Sequence, residues 1–148
     1  MIATQDIKII RTDKSKLPTT SLENLPFGRT FTDHMLVAEY ANGEWKNVEI
    51  RPYEPLSLDP ACAALHYGQA IFEGIKAYKG NNDEMYVFRP QDNFKRFNNS
   101  ARRMMMPEVP EEIFMDGMKA LINLDKDWMP TMAEHSLYIR PFMFASDG

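Results

Sequence analysis

The order of the expected secondary-structure elements places this chain in the α+β class, as an antiparallel-rich sheet with two helices packed on it. Two pairs of extended segments are each joined by a short turn of glycine, asparagine or aspartate residues, as in β-hairpins. Two segments with a helical spacing of apolar residues follow, and a last extended segment comes after them. Strands and helices do not alternate regularly, which argues against a parallel βαβ arrangement.

The composition is that of an ordinary globular domain. The 148 residues, 44% hydrophobic and 26% charged, are enough for one domain with a buried core. The net charge of -4 and the scattered basic residues give no nucleic-acid footprint. No apolar run approaches the length of a membrane helix, and the first residues lack a signal-peptide core. The single cysteine, Cys62, excludes an intrachain disulfide, so we expect a soluble, cytoplasmic protein.

The first part of the sequence predicts a short strand at Ile7–Ile10 and a hairpin built from Met35–Tyr40 and Glu44–Arg51. Asn42-Gly43 lies between the hairpin strands, and both residue types accept the positive φ that a tight hairpin turn requires. The prolines that follow interrupt regular structure and predict a loop; they are Pro52, Pro55 and Pro60.

The stretch Leu65–Gly80 combines aromatic, charged and glycine residues, a mixture too polar for a core element and too aromatic for a solvated loop. Its first part is expected to be a loop anchored by Tyr67 and Phe72. Its second part, Gly74–Tyr78, alternates apolar and polar side chains and is expected to be a half-buried strand. The turn that follows predicts a second hairpin with Met85–Arg89.

Two helices are predicted next. The first runs from Pro90, a residue tolerated at the start of a helix, to Met105. Its apolar face is expected to contain Phe94, Phe97, Ala101, Met104 and Met105. The second begins near Pro110, with a stripe formed by Ile113, Phe114, Gly117, Leu121 and Leu124. After it, Leu137–Ala145 is expected to be extended.

Two arginines are candidates for binding anions. Tyr138 and Arg140 are two residues apart in the last extended segment, so their side chains are expected on one face. A phenol beside an arginine suits a carboxylate, because the guanidinium offers paired donors in a rigid fork. The alternative is a surface arginine paired with an acidic neighbour. Arg96, in the first predicted helix, could contact a phosphate, although most helical arginines are simply solvated.

Other common functional motifs are not found. The spacing of His34, His66, His135 and Cys62 is not that of a metal site, so no metal is expected. The sequence has no dinucleotide-binding glycine motif, phosphate loop or nucleophile elbow. From the residues alone, the chain is an α+β domain with two candidate contacts for carboxylate or phosphate.

Several uncommon motifs resemble those of the branched-chain amino-acid aminotransferases, which are fold-type IV pyridoxal-phosphate enzymes. In chain order they are Phe27–Met35, Leu65–Gly68, Phe72–Tyr78, Phe88–Pro90 and Tyr138–Pro141, and they extend over nearly the whole chain. The resemblance implies the fold of the small domain of these enzymes and pyridoxal 5'-phosphate as the cofactor. It also implies reversible transfer of an amino group between leucine, isoleucine or valine and 2-oxoglutarate, with glutamate as the product.

The resemblance assigns roles to individual residues. In the family, the arginine at the position of Arg96 holds the cofactor phosphate. Residues that match Phe27, Phe72 and Tyr138 line the pocket for the branched side chain. The tyrosine that matches Tyr67 reaches into the active site of the neighbouring subunit of a homodimer. The arginine that matches Arg140 receives the side-chain carboxylate of glutamate.

One departure from the family concerns the catalytic lysine. In the family, the lysine that forms the Schiff base with the cofactor lies in a second, larger domain, which would begin near Gly148. Lys76 and Lys79 match a strand that does not carry this lysine. Residues 1–148 are therefore expected to be the small domain alone, without a catalytic residue of their own, and to be inactive by themselves.

Two other interpretations stay open. One is a related fold-type IV enzyme, such as a D-amino-acid aminotransferase or an aminodeoxychorismate lyase; the segments Phe72–Tyr78 and Phe31–Met35 favour the branched-chain group over it. The other is a non-catalytic module that binds a partner through an exposed face. An isolated small domain is also expected to expose apolar surface and to dimerise or stick in solution.

Overall fold

The computed structural model describes residues 7–23, 25–132 and 135–147, so Gly148 lies outside the described residues. Its strands are β1 Lys8–Ile9, β2 His34–Ala41, β3 Glu44–Pro52, β4 Ala70–Phe72, β5 Ile75–Lys79, β6 Met85–Val87, β7 Leu137–Ile139 and β8 Phe142–Phe144. Its α-helices are α1 Ala63–Tyr67, α2 Pro90–Arg103 and α3 Gly117–Leu124. A π-helical turn, Glu112–Asp116, leads into α3, and two 3₁₀ turns are Leu17–Thr19 and Lys126–Trp128. This arrangement confirms the predicted α+β class.

The first predicted hairpin is confirmed as β2 and β3. These strands pair antiparallel from His34 opposite Pro52 to Ala41 opposite Glu44, and the short β1 pairs in parallel with β3. The turn residues Asn42 and Gly43 have φ values of 57° and 85°. The hairpin therefore forms where the residues that tolerate positive φ are placed, as the local sequence predicts.

Two segments, residues 70–79 and 137–144, run antiparallel to each other and are both interrupted at the same level. β4 pairs with β8, with Phe72 opposite Phe142, and β5 pairs with β7, with Ile75 opposite Ile139. The register is the same on both sides of the interruption. The predicted last strand is thus two strands that belong to different sheets. The break falls beside Pro141, because proline has no N–H to donate to the ladder.

The second predicted hairpin is confirmed as β5 and β6, which pair antiparallel from Ala77 opposite Val87 to Lys79 opposite Met85. β6 ends earlier than the predicted Arg89, because Arg89 takes a left-handed conformation, with φ of 45°, at the start of α2. β7 lies on the other side of β5, so this sheet has the order β6-β5-β7.

Helix α2 ends two residues before the predicted Met105. The N–H of Met106 donates to Ala101 O over 2.9 Å, and the N–H of Met105 donates to Arg102 O over 3.2 Å. This is the bonding pattern of a Schellman cap, which requires a left-handed residue at the position of Met105, where φ is 54°. The reversal turns Met105 away from the core and leaves it 88% exposed, so its assignment to the apolar face was wrong.

Helix α3 packs closely on β2. An added Cβ at Gly117 would lie 2.6 Å from Leu36 Cδ2, so a larger residue there would require the Leu36 side chain to move. The predicted stripe is partly confirmed, because Leu121 and Leu124 are only half-buried. The buried members of the π-helical turn and α3 are Ile113, Phe114, Gly117, Met118 and Ile122.

Helix α1 lies in a segment that was predicted to be a loop. It is five residues long and is followed by Gly68, which takes a left-handed conformation with φ of 63°. The N–H of Ala63 donates to Asp147 O over 2.7 Å, and the N–H of Ala64 donates to Ala145 O over 3.1 Å. The first turn of α1 is therefore tied to residues about 80 positions away, which local sequence patterns do not report.

The residues Asp33 and His34, within one of the family-like motifs, join β2 to the segment after α3. The N–H of Thr12 donates to His34 Nε2 over 2.9 Å, so Nδ1 carries the ring proton and donates to Asp125 Oδ1 over 2.6 Å. Asp125 Oδ2 also accepts the backbone N–H of His34, over 2.9 Å. Asp33 accepts the indole N–H of Trp128 over 3.0 Å.

We expect Asp125→Asn to destabilise the 148-residue chain by about 1–3 kcal/mol, because the new amide N–H₂ group would face one of the two buried donors of His34. The free energy of unfolding in urea measures the effect. Asp127→Asn is the matched control, since Asp127 is exposed and loses the same charge. Equal unfolding midpoints for the two variants would contradict this role of Asp125.

Candidate functional site

The candidate site is built on the interruption between the two paired segments. Because the register is unchanged across it, Glu73 faces Pro141 and Gly74 faces Arg140. The N–H of Glu73 donates to Pro141 O over 2.8 Å, which fixes the turn between β4 and β5. Because the register is kept, residues two apart in each segment share a face on both sides of the gap.

Four of the predicted site residues meet on one side of this gap, and we call them the Tyr138 cluster: Phe27, Phe72, Tyr138 and Arg140. The rings of Phe27 and Tyr138 make an edge-to-face contact, with centroids 4.9 Å apart. The guanidinium carbon of Arg140 lies 4.6 Å from the ring centroid of Phe72 and 5.2 Å from that of Tyr138. Arg140 Nη2 also donates to Tyr138 Oη over 3.1 Å.

These contacts confirm that Tyr138 and Arg140 lie on the same face. The alternative, a surface arginine paired with an acidic neighbour, is not found among the residues that the structure describes. None of the ion pairs among the described residues involves Arg140, and its side chain is exposed. Its remaining N–H groups are directed to no carboxylate of that part of the chain, so they are free to bind one from a ligand.

Gly74 makes room for the phenol of Tyr138. A Cβ added at position 74 would collide with Tyr138 Oη and would lie 3.1 Å from Cζ. The glycine is needed here for the close approach of the ring to the backbone, and not for an unusual φ.

Arg96 lies on the other side of the same turn and is held by Glu73. Arg96 Nε donates to Glu73 Oε1 over 3.0 Å, and Nη2 donates to Oε2 over 2.7 Å. Asn93, one helical turn earlier on α2, donates to the same Oε2 over 2.8 Å. We call these three residues the Arg96 cluster. The Glu73 side chain is only 10% exposed, whereas that of Arg96 is 64% exposed.

The Glu73 carboxylate stays ionised despite its burial. Hydrogen bonds from Arg96 lower its pKa; burial acts in the opposite direction, but the amide of Asn93 adds to the lowering. A carboxyl whose pKa is lower in the folded state contributes stability above its unfolded-state pKa and loses it as the pH falls through the folded value. The ion pair is therefore intact at neutral pH and is lost only on acidification.

Tyr67 does not join either cluster. It is the last residue of α1, is 83% exposed, and its ring centroid lies 6.2 Å from that of His66. Lys79 forms an ion pair with Asp83 over 2.8 Å, on the hairpin between β5 and β6. Within the described part of the chain, neither Tyr67 nor this lysine contacts the residues of the Tyr138 cluster through a recorded hydrogen bond, ion pair or ring contact.

Sequence reasoning did not assign roles to two residues of the site, Glu73 and Asn93. One signal was available for Asn93, because it precedes Arg96 by three residues and so lies on the same helical face. No such signal links Glu73 to Arg96, which are 23 residues apart.

The sequence of this chain is similar to those of known aminotransferases. The chain is 53% identical over 126 residues to a probable branched-chain-amino-acid aminotransferase of Staphylococcus epidermidis, covering 84% of this chain and 35% of the relative. It is 45% identical over 144 residues to branched-chain-amino-acid aminotransferase 2 of Bacillus subtilis, covering 97% of this chain and 39% of the relative. Over the length it shares with them, the chain belongs to this family.

The fold agrees with a solved structure of the same family. The crystal structure of Escherichia coli branched-chain amino acid aminotransferase matches with a TM-score of 0.54 and 30% identity, over 67% of this chain and 31% of that chain. No protein-family model matches the sequence. The chain spans less than half the length of these branched-chain aminotransferases.

Two further features of this family member concern only residues 7–23, 25–132 and 135–147. No group of three or more histidine, cysteine or acidic side chains is placed to hold a metal ion. None of the helices in those ranges has the length and apolar character needed to cross a bilayer.

We expect Gly74→Ala to displace the Tyr138 phenol and to break its hydrogen bond with Arg140. Because the tip of the ring can move, the free energy of unfolding should fall by less than about 1 kcal/mol, below the usual cost of overpacking a core. A crystal structure of the variant and urea unfolding measure the two effects. Gly80→Ala is the control, since its Cβ would meet Tyr86 instead. An unmoved Tyr138 in Gly74→Ala would contradict this account.

Proposed function

We propose that this chain is the small domain of a branched-chain amino-acid aminotransferase that transfers the amino group of leucine, isoleucine or valine to 2-oxoglutarate. The observation that carries the proposal is the Tyr138 cluster, in which an arginine with no acidic partner among the described residues lies against two aromatic rings. Aromatic walls suit a branched apolar side chain, and the guanidinium suits the second carboxylate of glutamate. The names of the relatives support amino transfer from a branched-chain amino acid and do not name the acceptor.

Pyridoxal 5'-phosphate is the proposed cofactor, and when bound it supplies the electron sink for transamination. Its phosphate fits the Arg96 cluster. Glu73 occupies Nε and one N–H of Nη2, so both N–H groups of Nη1 and the second of Nη2 are available at the exposed end of the guanidinium. An arginine fork of this kind is the usual partner of a phosphate dianion.

The residues of this chain bind and orient the substrate, and they are not proposed to carry out the proton transfer. Phe27 and Phe72 cover apolar surface beside Tyr138, and the Arg140 hydrogen bond holds the phenol in place. The lysine that forms the Schiff base with the cofactor is proposed to lie outside these 148 residues. This is supported by the relatives, of which the chain matches only 35% and 39% of the length. Lys76 and Lys79 are not proposed as substitutes.

We also propose that the whole protein is a homodimer. Large apolar side chains are exposed on α1 and on the segments flanking α2; they are Leu65, Tyr67, Phe88 and Met105. Surfaces of this kind are usually covered by another domain or subunit. Tyr67, which contacts neither cluster in its own chain, is the residue proposed to reach the neighbouring subunit.

In the full-length protein, we expect Arg140→Ala to raise the KM for glutamate by about tenfold or more, because a charge-assisted pair is lost, and to change that for leucine by much less. Steady-state kinetics with each amino donor measure the difference. Arg103→Ala, which removes an exposed arginine of α2, is the control. Equal losses for both donors would mean that Arg140 is only structural.

The 148-residue chain by itself is expected to be inactive. Mixed with pyridoxal phosphate, leucine and 2-oxoglutarate, it should form no glutamate beyond the blank that contains cofactor alone, because no residue of the chain is proposed to move the substrate proton. Amino-acid analysis of the mixture over time measures this. Steady glutamate formation above the blank would refute the proposal that the catalytic lysine lies elsewhere.

A further inference from the structure

Glu73 is placed as a support for Arg96, and its carboxylate also accepts hydrogen bonds from Asn93 and from the backbone of Gly74. Its own position is fixed on two sides. Its backbone N–H donates to Pro141 O over 2.8 Å, and its Oε2 accepts the Asn93 amide over 2.8 Å. A carboxylate held in this way defines the direction of the guanidinium that it binds.

The two hydrogen bonds from Arg96 use the side edge of the guanidinium, which is formed by Nε and Nη2. The end edge, formed by Nη1 and the second N–H of Nη2, is directed away from Glu73 and lies on an exposed side chain. A planar guanidinium bound at one edge has its other edge fixed as well. We therefore propose that Glu73 is a positioning residue that orients Arg96 to bind the cofactor phosphate, an inference that rests on the proposed function.

Glu73 can act on phosphate binding by Arg96 in two opposite ways, and experiment can separate them. Glu73 is an anion close to Arg96, so it could weaken phosphate binding by neutralising the arginine. Pre-orientation acts the other way, because an arginine that is already held loses less conformational freedom when the ligand binds. The carboxylate is largely buried and accepts two hydrogen bonds from Arg96 and one from the Asn93 side chain, so it favours a single orientation of the guanidinium. This geometry favours pre-orientation.

The same residue connects the two clusters. Glu73 lies between Phe72, over whose ring the Arg140 guanidinium is placed, and Gly74, which accommodates the Tyr138 phenol. The turn that presents the Tyr138 cluster thus also carries the carboxylate that holds Arg96. A change at Glu73 is therefore expected to affect phosphate binding first, while the ring contacts of the Tyr138 cluster stay in place.

The test compares pyridoxal phosphate with pyridoxal, which lacks the phosphate, in the full-length protein. Dissociation constants are measured for both by spectroscopic titration. We expect Glu73→Gln to weaken pyridoxal phosphate binding by about tenfold, as for other supporting residues, and to leave pyridoxal binding unchanged. Glu73→Asp keeps the negative charge, but its shorter side chain moves the carboxylate oxygens away from Arg96. It should therefore show a similar loss of pyridoxal phosphate affinity. Circular dichroism and the urea midpoint establish that each variant is folded.

Asn93→Ala provides a second, milder variant that keeps the carboxylate. It removes one hydrogen bond to Oε2, so we expect a smaller loss of pyridoxal phosphate affinity, about two- to fivefold. Gln91→Ala, an exposed residue of the same turn of α2, is the matched control and should have no effect.

The outcomes separate this inference from the proposed function. If Arg96→Ala weakens pyridoxal phosphate binding but Glu73→Gln leaves it unchanged or tightens it, Glu73 does not position the arginine. Full affinity in Glu73→Asp would likewise overturn the inference, since charge alone would then suffice. If Arg96→Ala itself does not alter the preference for pyridoxal phosphate over pyridoxal, the proposed phosphate contact fails, and the role of Glu73 fails with it.

Discussion

The antiparallel pairing of residues 70–79 with residues 137–144, interrupted at one level, is the constraint on which the candidate site depends. A regular ladder would place alternate side chains on two opposite faces. Pro141 cannot donate to the ladder, and the Glu73 N–H instead bonds to the Pro141 carbonyl over 2.8 Å. This alternation holds across the interruption: Phe72, Tyr138 and Arg140 meet on one side, and the Glu73 carboxylate is directed to α2.

The two arginines of the site differ in their partners, and that difference matches two kinds of ligand. Arg96 is held by a buried carboxylate, and a guanidinium with a fixed orientation suits the phosphate of the proposed cofactor. Arg140 lies against aromatic rings and, within the described part of the chain, donates a hydrogen bond to the hydroxyl of Tyr138. A guanidinium in such surroundings can bind the side-chain carboxylate of glutamate in one half of the proposed reaction. It can also lie beside the apolar side chain of a branched-chain amino acid in the other half.

The scaffold around the site is held by buried polar contacts as well as by apolar packing. Asp125 accepts two hydrogen bonds from His34, and Asn98 donates to and accepts from the backbone of Val109 over 2.9 Å. Each of these groups would be costly to bury alone. Together they attach β2 to the segment after α3, and α2, which carries Arg96, to the loop that follows it.

The sequence by itself determined the features that depend on residues close together in the chain. The hairpin at Asn42-Gly43 follows from the φ values those residues accept, and the shared face of Tyr138 and Arg140 follows from their spacing. Only the tertiary structure decided that Glu73 holds Arg96, that Phe27 packs on Tyr138 and that α1 is helical. These depend on contacts between distant segments, whose partners are selected by the packing of the whole chain and not by local conformational preference.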